Sequence, residues 1–492
     1  MNLLTDAWIP VNENGKFKHI TLKDVLCRDS EWDIALPRND MEMATLQLVI
    51  CLTQVIFPPK NTTELKARLA KLMNEKEFDK GIEKFKNWFE LEHKDYPFMQ
   101  TREVKAKDVT PIQKLFIGLP VGKGTHAFFN IPNEIKKVCP SCAAIAIFNQ
   151  ASNCPSFGGG FKGSLRGAAP ITTLVYDTNL RQKIWYNILI LDFLVEKSFP
   201  TQSSDKPAWI DKISTDSISA ANIGILKGLF WQPAKIELDW RKTTGFCDSC
   251  GTITTSSVLN FKTEKFPYNL NGVWPHPHSP RRWKWAVSES EDLRTKTKEK
   301  FLSFTTTAPA WTQLSDMLVE QNTNIEGIAP AAIIDQFRQI FIGRNANLIV
   351  GGYRTKQAKI LERKHDMISI SSGWDENRDT LKDYIQTALK INKVFREKTW
   401  GFGKTIGVVG LANKAEERFY ANSEGYIHKT LKTIDWSVAR EAREQFVNKL
   451  MELAWNIFTD ITKPYQNEPR MIKAYVKAKC NLSNEFNKIK EG

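Results

Sequence analysis

No stretch of this chain is long and apolar enough to cross a bilayer. A membrane-spanning helix needs about 20 consecutive apolar residues, and none of the 492 positions opens such a run. The first residues, MNLLTDAWIPVNENGK, lack the basic start and uninterrupted apolar core of a secretion signal, so the protein is expected to remain in the cytoplasm, with no membrane partner. Cysteine is sparse as well: 8 in so long a chain, in a reducing compartment, do not form a disulfide framework. The 7 histidines never gather with carboxylates into a compact metal-ligand cluster. His276 and His278 each lie beside a proline, which suits a rigid turn, and His365 and Asp366 stand apart from them, so a metal-dependent nuclease is the rival reading rather than the leading one. The GFGKT segment from Gly401 to Thr405 copies half of a phosphate-binding P-loop, but that motif requires a glycine where this chain has Lys398. ATP binding is excluded on that ground.

What is abundant is positive charge and flat side chains. Lys plus Arg outnumber Asp plus Glu by 69 to 55, a net charge of +14, and a polyanionic partner follows more readily than for an average chain. The 15 tryptophans and 28 phenylalanines offer faces for stacking on bases, or for filling a large core. Hydrophobic residues at 42% and charged residues at 25% are ordinary for a globular protein, and the length suits two to four domains.

The most informative stretch is CPSCAAIAIFNQASNCPSFGGGFKGSLRG, from Cys139 to Gly167. Gly158, Gly159 and Gly160 have no Cβ, so their backbone is free to take positive φ and to approach a ligand closely. Lys162 and Arg166 add positive charge beside them, as expected of a loop that contacts a polyanion. A tight turn between buried elements is the plainer alternative.

The two Cys-x-x-Cys pairs, Cys139 with Cys142 and Cys247 with Cys250, have the gap that lets both thiolates of a pair reach one tetrahedral zinc, and Gly251 permits the knuckle turn. The long insertion between the pairs means that the tertiary fold must bring them together. A closed, structural zinc site is expected; four buried free thiols are the alternative. Cys27, Cys51, Cys154 and Cys480 read as packing residues.

Elsewhere the pattern is architectural. MEMATLQLVICLTQVIF, ended by Pro58 and Pro59, reads as a buried helix, and Leu65, Leu69 and Leu72 mark an amphipathic one. ITTLVYD and GLFWQPAKIELDW read as strands. Lys262 and Lys265 lie among aromatics, and Arg281, Arg282 and Lys284 alternate with Trp283 and Trp285, a pattern shared by nucleic-acid grooves and by exposed hairpins. GGYRTKQAKILERKHD opens on two glycines and presents Arg354, Lys356, Gln357 and Lys359 on a turn that could reach into a groove. After Gly373 the periodicity becomes helical: Leu381, Ile385, Ala388, Asn392 and Phe395, then a stretch from Ala412 to Tyr420, then Val438, Ala442, Phe446, Leu450, Leu453 and Ile457, then Ile472, Val476 and Phe486 after Pro469. The expected fold is α+β, with a large mixed α/β domain over residues 1–372 and a four-helix bundle over 373–492.

Several longer motifs then carry a resemblance. NLLTDAWIPV, LPRNDMEMA, FGGGFKGSLRG, GLFWQPA, NGVWPHPHSP, APAWTQ and GGYRTKQAKILERKHD, in this order, resemble the CasA family, the large subunit of the type I-E CRISPR surveillance complex Cascade. The resemblance implies a non-enzymatic DNA reader that works with crRNA and the other Cascade subunits. Such a subunit checks the protospacer-adjacent motif in target double-stranded DNA, starts unwinding toward an R-loop, and helps recruit the helicase-nuclease. On this resemblance Gly159 faces the motif between Gly158 and Gly160, Lys265 is a lysine finger and Gln357 a wedge. Phe128 and Asn130 fall in the loop that meets the crRNA handle and the first base pairs, with Lys162, Arg166, Arg354, Lys356 and Lys359 as supporting basic residues. A purely structural RNA-protein scaffold is a further alternative.

Overall fold

The computed structural model describes residues 1–106, 108–120, 134–200, 205–213, 216–286, 295–356 and 359–491. Two compact units divide the chain. The first comprises Met1–Thr305, Asn322–Ile340 and Ile349–Asp366, and the second Thr306–Gln321, Phe341–Leu348 and Met367–Gly492. Among the described residues no helix is long and apolar enough to cross a membrane.

The first unit is mixed. Helix α1 (Asn39–Ile56) is buried along nearly its whole length, as its apolar run requires. Its buried threonines are satisfied inside: Thr45 and Thr53 donate to the carbonyls of Met41 and Val49 one turn back, at 2.7 and 2.9 Å. Gln54 exchanges two bonds with the backbone of Leu189, at 3.0 and 2.7 Å. Helix α2 (Pro140–Asn153) packs on α1, and its Ala143, Ala144 and Ala146 are buried. Proline at the first helical position costs α2 no hydrogen bond, because that N–H would be unpaired in any case.

Around these helices lie short strands. Strand β1 (Thr172–Val175) is followed by β2 (Ala234–Arg241), the small hairpin of β3 (Gly245–Phe246) and β4 (Ile253–Thr254), and β5 (Ser257–Lys265). β5 runs antiparallel to β2 in a register that sets Lys265 opposite Ala234, and its other edge meets Thr110–Pro111. Two long strands, β6 (Ala346–Lys356) and β7 (Lys359–Ile370), form a three-stranded sheet in the order β7-β6-β1. The Arg281–Ala286 strand is an ordinary sheet member. Trp283 is buried in it, and Arg281 pairs with Glu299 at 2.8 Å instead of facing a groove.

The second unit ends in the helices α3 (Arg378–Ile406), α4 (Leu411–Thr433), α5 (Ala439–Thr462) and α6 (Pro469–Glu491). Leu381, Ile385, Ala388 and Phe395 of α3 are buried with Phe419 of α4, Phe446 and Leu450 of α5 and Leu482 and Phe486 of α6. The inner face of α6 differs from the one its large apolar residues suggest. Phe486 points inward as its spacing suggests, but Ile472 and Val476 are 44% and 49% exposed, and Ala474, Ala478, Leu482 and Ile489 complete the inner face in their place. Val438 precedes α5 and is likewise exposed, and in the first unit Leu72 lies past the end of its helix.

Candidate nucleic-acid interface and metal centre

The glycine run follows α2 after a short linker. Gly158, Gly159 and Gly160 all have positive φ, at +83°, +53° and +85°, a conformation that side chains with a Cβ rarely adopt. A Cβ built on Gly158 or Gly159 would meet none of the described residues within 4 Å, which leaves this backbone open on their side. The Phe161 N–H closes the turn on the Gly158 carbonyl at 3.0 Å, and the ring of Phe157 is seated 6.0 Å from that of Phe261 on β5.

β5 delivers Lys265 to the same place. The Lys265 Nζ lies 3.3 Å from where a Gly160 Cβ would be and 5.7 Å from the centre of the Phe161 ring. Lys162 stands nearby, with its Nζ donating to Asn269 Oδ1 at 3.1 Å and lying 5.9 Å from the Tyr268 ring centre. The β6–β7 hairpin closes the other side. Lys359 and Ile360 line a cleft of about 250 Å³ together with Gly158, Phe157, Lys114 and Gly118. Ile360 is held there by packing on Ile117, Cys154 and Tyr353. Lys114, on a short turn before the cleft, is a cation that the sequence pattern did not single out.

Other expected site residues take different places. Arg166 corrects the expectation of a surface charge: it is 2% exposed and spends its guanidinium on the carbonyl of Ser152, Asn153 Oδ1, Thr172 Oγ1 and Ser279 Oγ. Burial pushes its pKa down to about 9. Arg354 pairs across the hairpin with Glu362 at 2.9 Å, which makes it a strand brace, whereas Lys356 is exposed at the end of β6. Phe128, Asn130 and Gln357 lie outside the described residues. His276 and His278 are buried, and burial, with the Arg166 charge adding to it, pushes His278 down to about 3 and His276 well below its usual range. Both rings are neutral, and among the described residues neither belongs to a group that could hold a metal.

The two cysteine pairs do come together. The Sγ atoms of Cys139, Cys142, Cys247 and Cys250 all lie within 4.8 Å of one another, with Cys139 and Cys250 at 3.7 Å, and no disulfide joins them. Cys139 caps α2, its sulfur accepting from the Cys142 N–H at 3.5 Å. Cys247 and Cys250 occupy the turn of the β3–β4 hairpin, where Gly251 has a φ of +76° and donates to the Cys247 carbonyl at 2.8 Å. The halves are tied by Asp248, whose carboxylate accepts from the backbone N–H groups of Lys136 and Lys137 at 2.8 and 2.9 Å. Four convergent sulfurs with N–H groups directed at them match the donor set of a closed tetrahedral metal site. Hydrogen bonds from the Cys139 and Cys142 thiols lower Cys247 to about 7, and those from all three neighbours hold Cys250 well below the usual thiol range, so that half of the site is disposed toward thiolate.

The first unit thus carries both a glycine run with lysines about it and a four-sulfur knuckle. The sequence matches the family model for CRISPR-associated protein Cse1 over residues 2–457. The chain belongs to the Cse1 family, as the resemblance to CasA implied. Its fold is shared by the structure of Thermus thermophilus CasA (Cse1), with a TM-score of 0.76 at 16% identity over 99% of both chains. Thermobifida fusca Cse1 matches with a TM-score of 0.72 at 17% identity, over 99% of this chain and 98% of that one. A chain of a CRISPR RNA-guided surveillance complex matches with a TM-score of 0.63 at 12% identity, over 98% and 99% of the two.

Proposed function

We propose that this protein is the large subunit of a crRNA-guided Cascade complex. In that role it recognises the protospacer-adjacent motif in double-stranded target DNA, begins the unwinding that leads to an R-loop, and helps recruit a helicase-nuclease in antiviral defence. On this reading it works in the cytoplasm, holds one structural zinc on Cys139, Cys142, Cys247 and Cys250, and catalyses no reaction. Family membership supports the complex, and a solved surveillance complex contains a chain of the same fold. The observation that carries the DNA-reading role is the row of three left-handed glycines, with no described residue within 4 Å of a Cβ built on Gly158 or Gly159, and the Lys265 ammonium beside Gly160.

Such an arrangement suits the minor groove. There the base pairs present a degenerate set of acceptors plus the guanine amino group, so a bare backbone and one lysine would accept several related motifs. Gln357, which falls between β6 and β7 in sequence, would enter the stack beside the motif. The unstacking costs a few kcal/mol, offset by phosphate contacts and by pairing of the guide with the target strand.

The test is binding of the reconstituted complex, with and without this subunit, to duplexes carrying a randomised motif beside a matched target. The expected result is enrichment of a few related motifs that requires the subunit and disappears on Lys265→Ala. Assembly without any enrichment would leave the scaffold reading. Gln357→Ala should reduce R-loop formation on linear duplex more than initial motif engagement, and equal loss of both in a footprinting assay would remove the wedge.

A further inference from the structure

Beneath the cleft a buried chain of hydrogen bonds joins the glycine segment to the β6–β7 hairpin. Arg166, at the end of that segment, has no carboxylate within ion-pair range among the described residues, and its guanidinium donates to Asn153 Oδ1. The Asn153 Nδ2 donates to Asn149 Oδ1 at 3.0 Å, and the Asn149 Nδ2 to the Tyr353 hydroxyl at 3.1 Å. Tyr353 donates in turn to Asp40 Oδ2 at 3.0 Å, and the other Asp40 oxygen accepts from Arg363 at 2.9 Å.

The direction of this chain is fixed by its ends. A guanidinium only donates and a carboxylate only accepts, so each amide between them has one orientation that satisfies both neighbours. Every link from Arg166 to Tyr353 is buried, where an unmade bond is costly. The Arg166 end is fastened to the glycine segment, with its own N–H donating to Ser164 Oγ at 3.2 Å and Ser164 Oγ donating to the Gly167 carbonyl at 2.9 Å. At the far end Asp40 holds both strands of the hairpin, through Tyr353 on β6 and Arg363 on β7.

We propose that this chain sets the register of strands β6 and β7 against the segment that carries the glycine run, making Tyr353 a positioning residue for duplex opening. The proposal rests on the motif-reading function above. Removing the hydroxyl breaks this one buried link, leaving the sheet and the Arg363 contact in place and the surface that meets DNA untouched, so motif engagement persists while opening slows.

The experiment uses the reconstituted complex carrying Tyr353→Phe, which keeps the ring in its packed site. R-loop formation is measured on a closed duplex and on one with an unpaired bubble beside the motif, and motif engagement on a duplex with a mismatched seed. The expected result is about a fivefold slowing on the closed duplex, the size of one lost buried hydrogen bond, with motif engagement unchanged and the rate restored on the bubble. Asp40→Asn should repeat this pattern from the other end. Equal slowing on both substrates would reduce Tyr353 to a general structural role and overturn the proposal, as would a wild-type rate for either variant on the closed duplex. A wild-type complex without motif dependence would remove the reader function itself, a failure distinct from a selective wild type with an unaffected Tyr353→Phe.

Discussion

The ammonium of Lys265 lies 3.3 Å from the point a Cβ on Gly160 would occupy, although the two residues come from a strand end and a loop that are far apart in sequence. At this one position a side chain would be strained twice over, by a φ of +85° and by the lysine beside it. Gly160→Ala is therefore expected to cost roughly 1 kcal/mol in backbone strain and to displace Lys265. Motif selectivity of the assembled complex should fall with either Gly160→Ala or Lys265→Ala, while guide-dependent pairing on a bubble duplex is retained. Competition binding between motif and scrambled duplexes checks this, and undiminished selectivity in both variants would move the reading elsewhere.

Salt dependence separates Lys265 from cations that contact phosphate alone. The logarithm of the binding constant should fall linearly with that of salt concentration, with a slope of about 0.9 per phosphate contact. Lys359→Ala, at the opposite wall of the cleft, should reduce that slope by about one contact and weaken all motifs alike. A Lys359→Ala complex that discriminates motifs differently from wild type would assign base reading to the hairpin as well.

The four-cysteine centre should contain one zinc per chain by metal analysis of the purified protein. Its thiols must lose their protons to bind the metal as thiolates, so chelator extraction should become easier as pH falls. Cys142→Ser removes a fully buried ligand and should destabilise the protein by roughly 3 kcal/mol or more, with loss of the metal. Metal-free protein of unchanged thermal stability would leave four packed thiols.

Much of this was legible in the sequence because it is local. Residues 41–57 read as a helix and form one from Asn39 to Ile56, since a continuous apolar run ended by two prolines has few other solutions. The cysteine spacing foretold both halves of the cluster, and the glycine run announced its own positive φ. Side-chain direction was not legible. Arg166 follows the glycine run and Lys162 and reads as surface charge, yet the acceptors that bury it lie on Ser152, Asn153, Thr172 and Ser279, which only the tertiary fold assembles. Asp40 went unremarked for the same reason. On α6 the large residues Ile472 and Val476 suggested the inner face, but the alanines at 474 and 478 allow closer approach and turn it inward.

That reassigned face is testable. Leu482 is fully buried and Val476 is half exposed. Leu482→Ala should destabilise the protein by roughly 2–5 kcal/mol, whereas Val476→Ala should stay within about 0.5 kcal/mol of wild type. Urea unfolding of both variants decides it, and the reverse ranking would restore the face defined by the large residues.

The buried histidines predict an acid-sensitive fold. His278 is 2% exposed, its Nδ1 lies 3.2 Å from Gln47 Nε2, and His276 and Arg166 are its titratable and charged neighbours. Burial, with the Arg166 charge behind it, pushes the folded pKa down to about 3, whereas an unfolded histidine titrates near 6.5. Between those values the unfolded chain takes up a proton that the folded one refuses. The stability from keeping His278 neutral is thus present above about pH 6.5 and is lost as pH falls toward 3, by up to about 1.4 kcal/mol per pH unit. Urea unfolding at pH 7, 6 and 5 should show this decline, and His278→Gln, which keeps a polar partner for Gln47 but cannot titrate, should make it shallower. Protonation of the thiolates affects both proteins equally, so the difference between them isolates the histidine. Parallel declines in the two would mean that His278 titrates alike in the folded and unfolded chains.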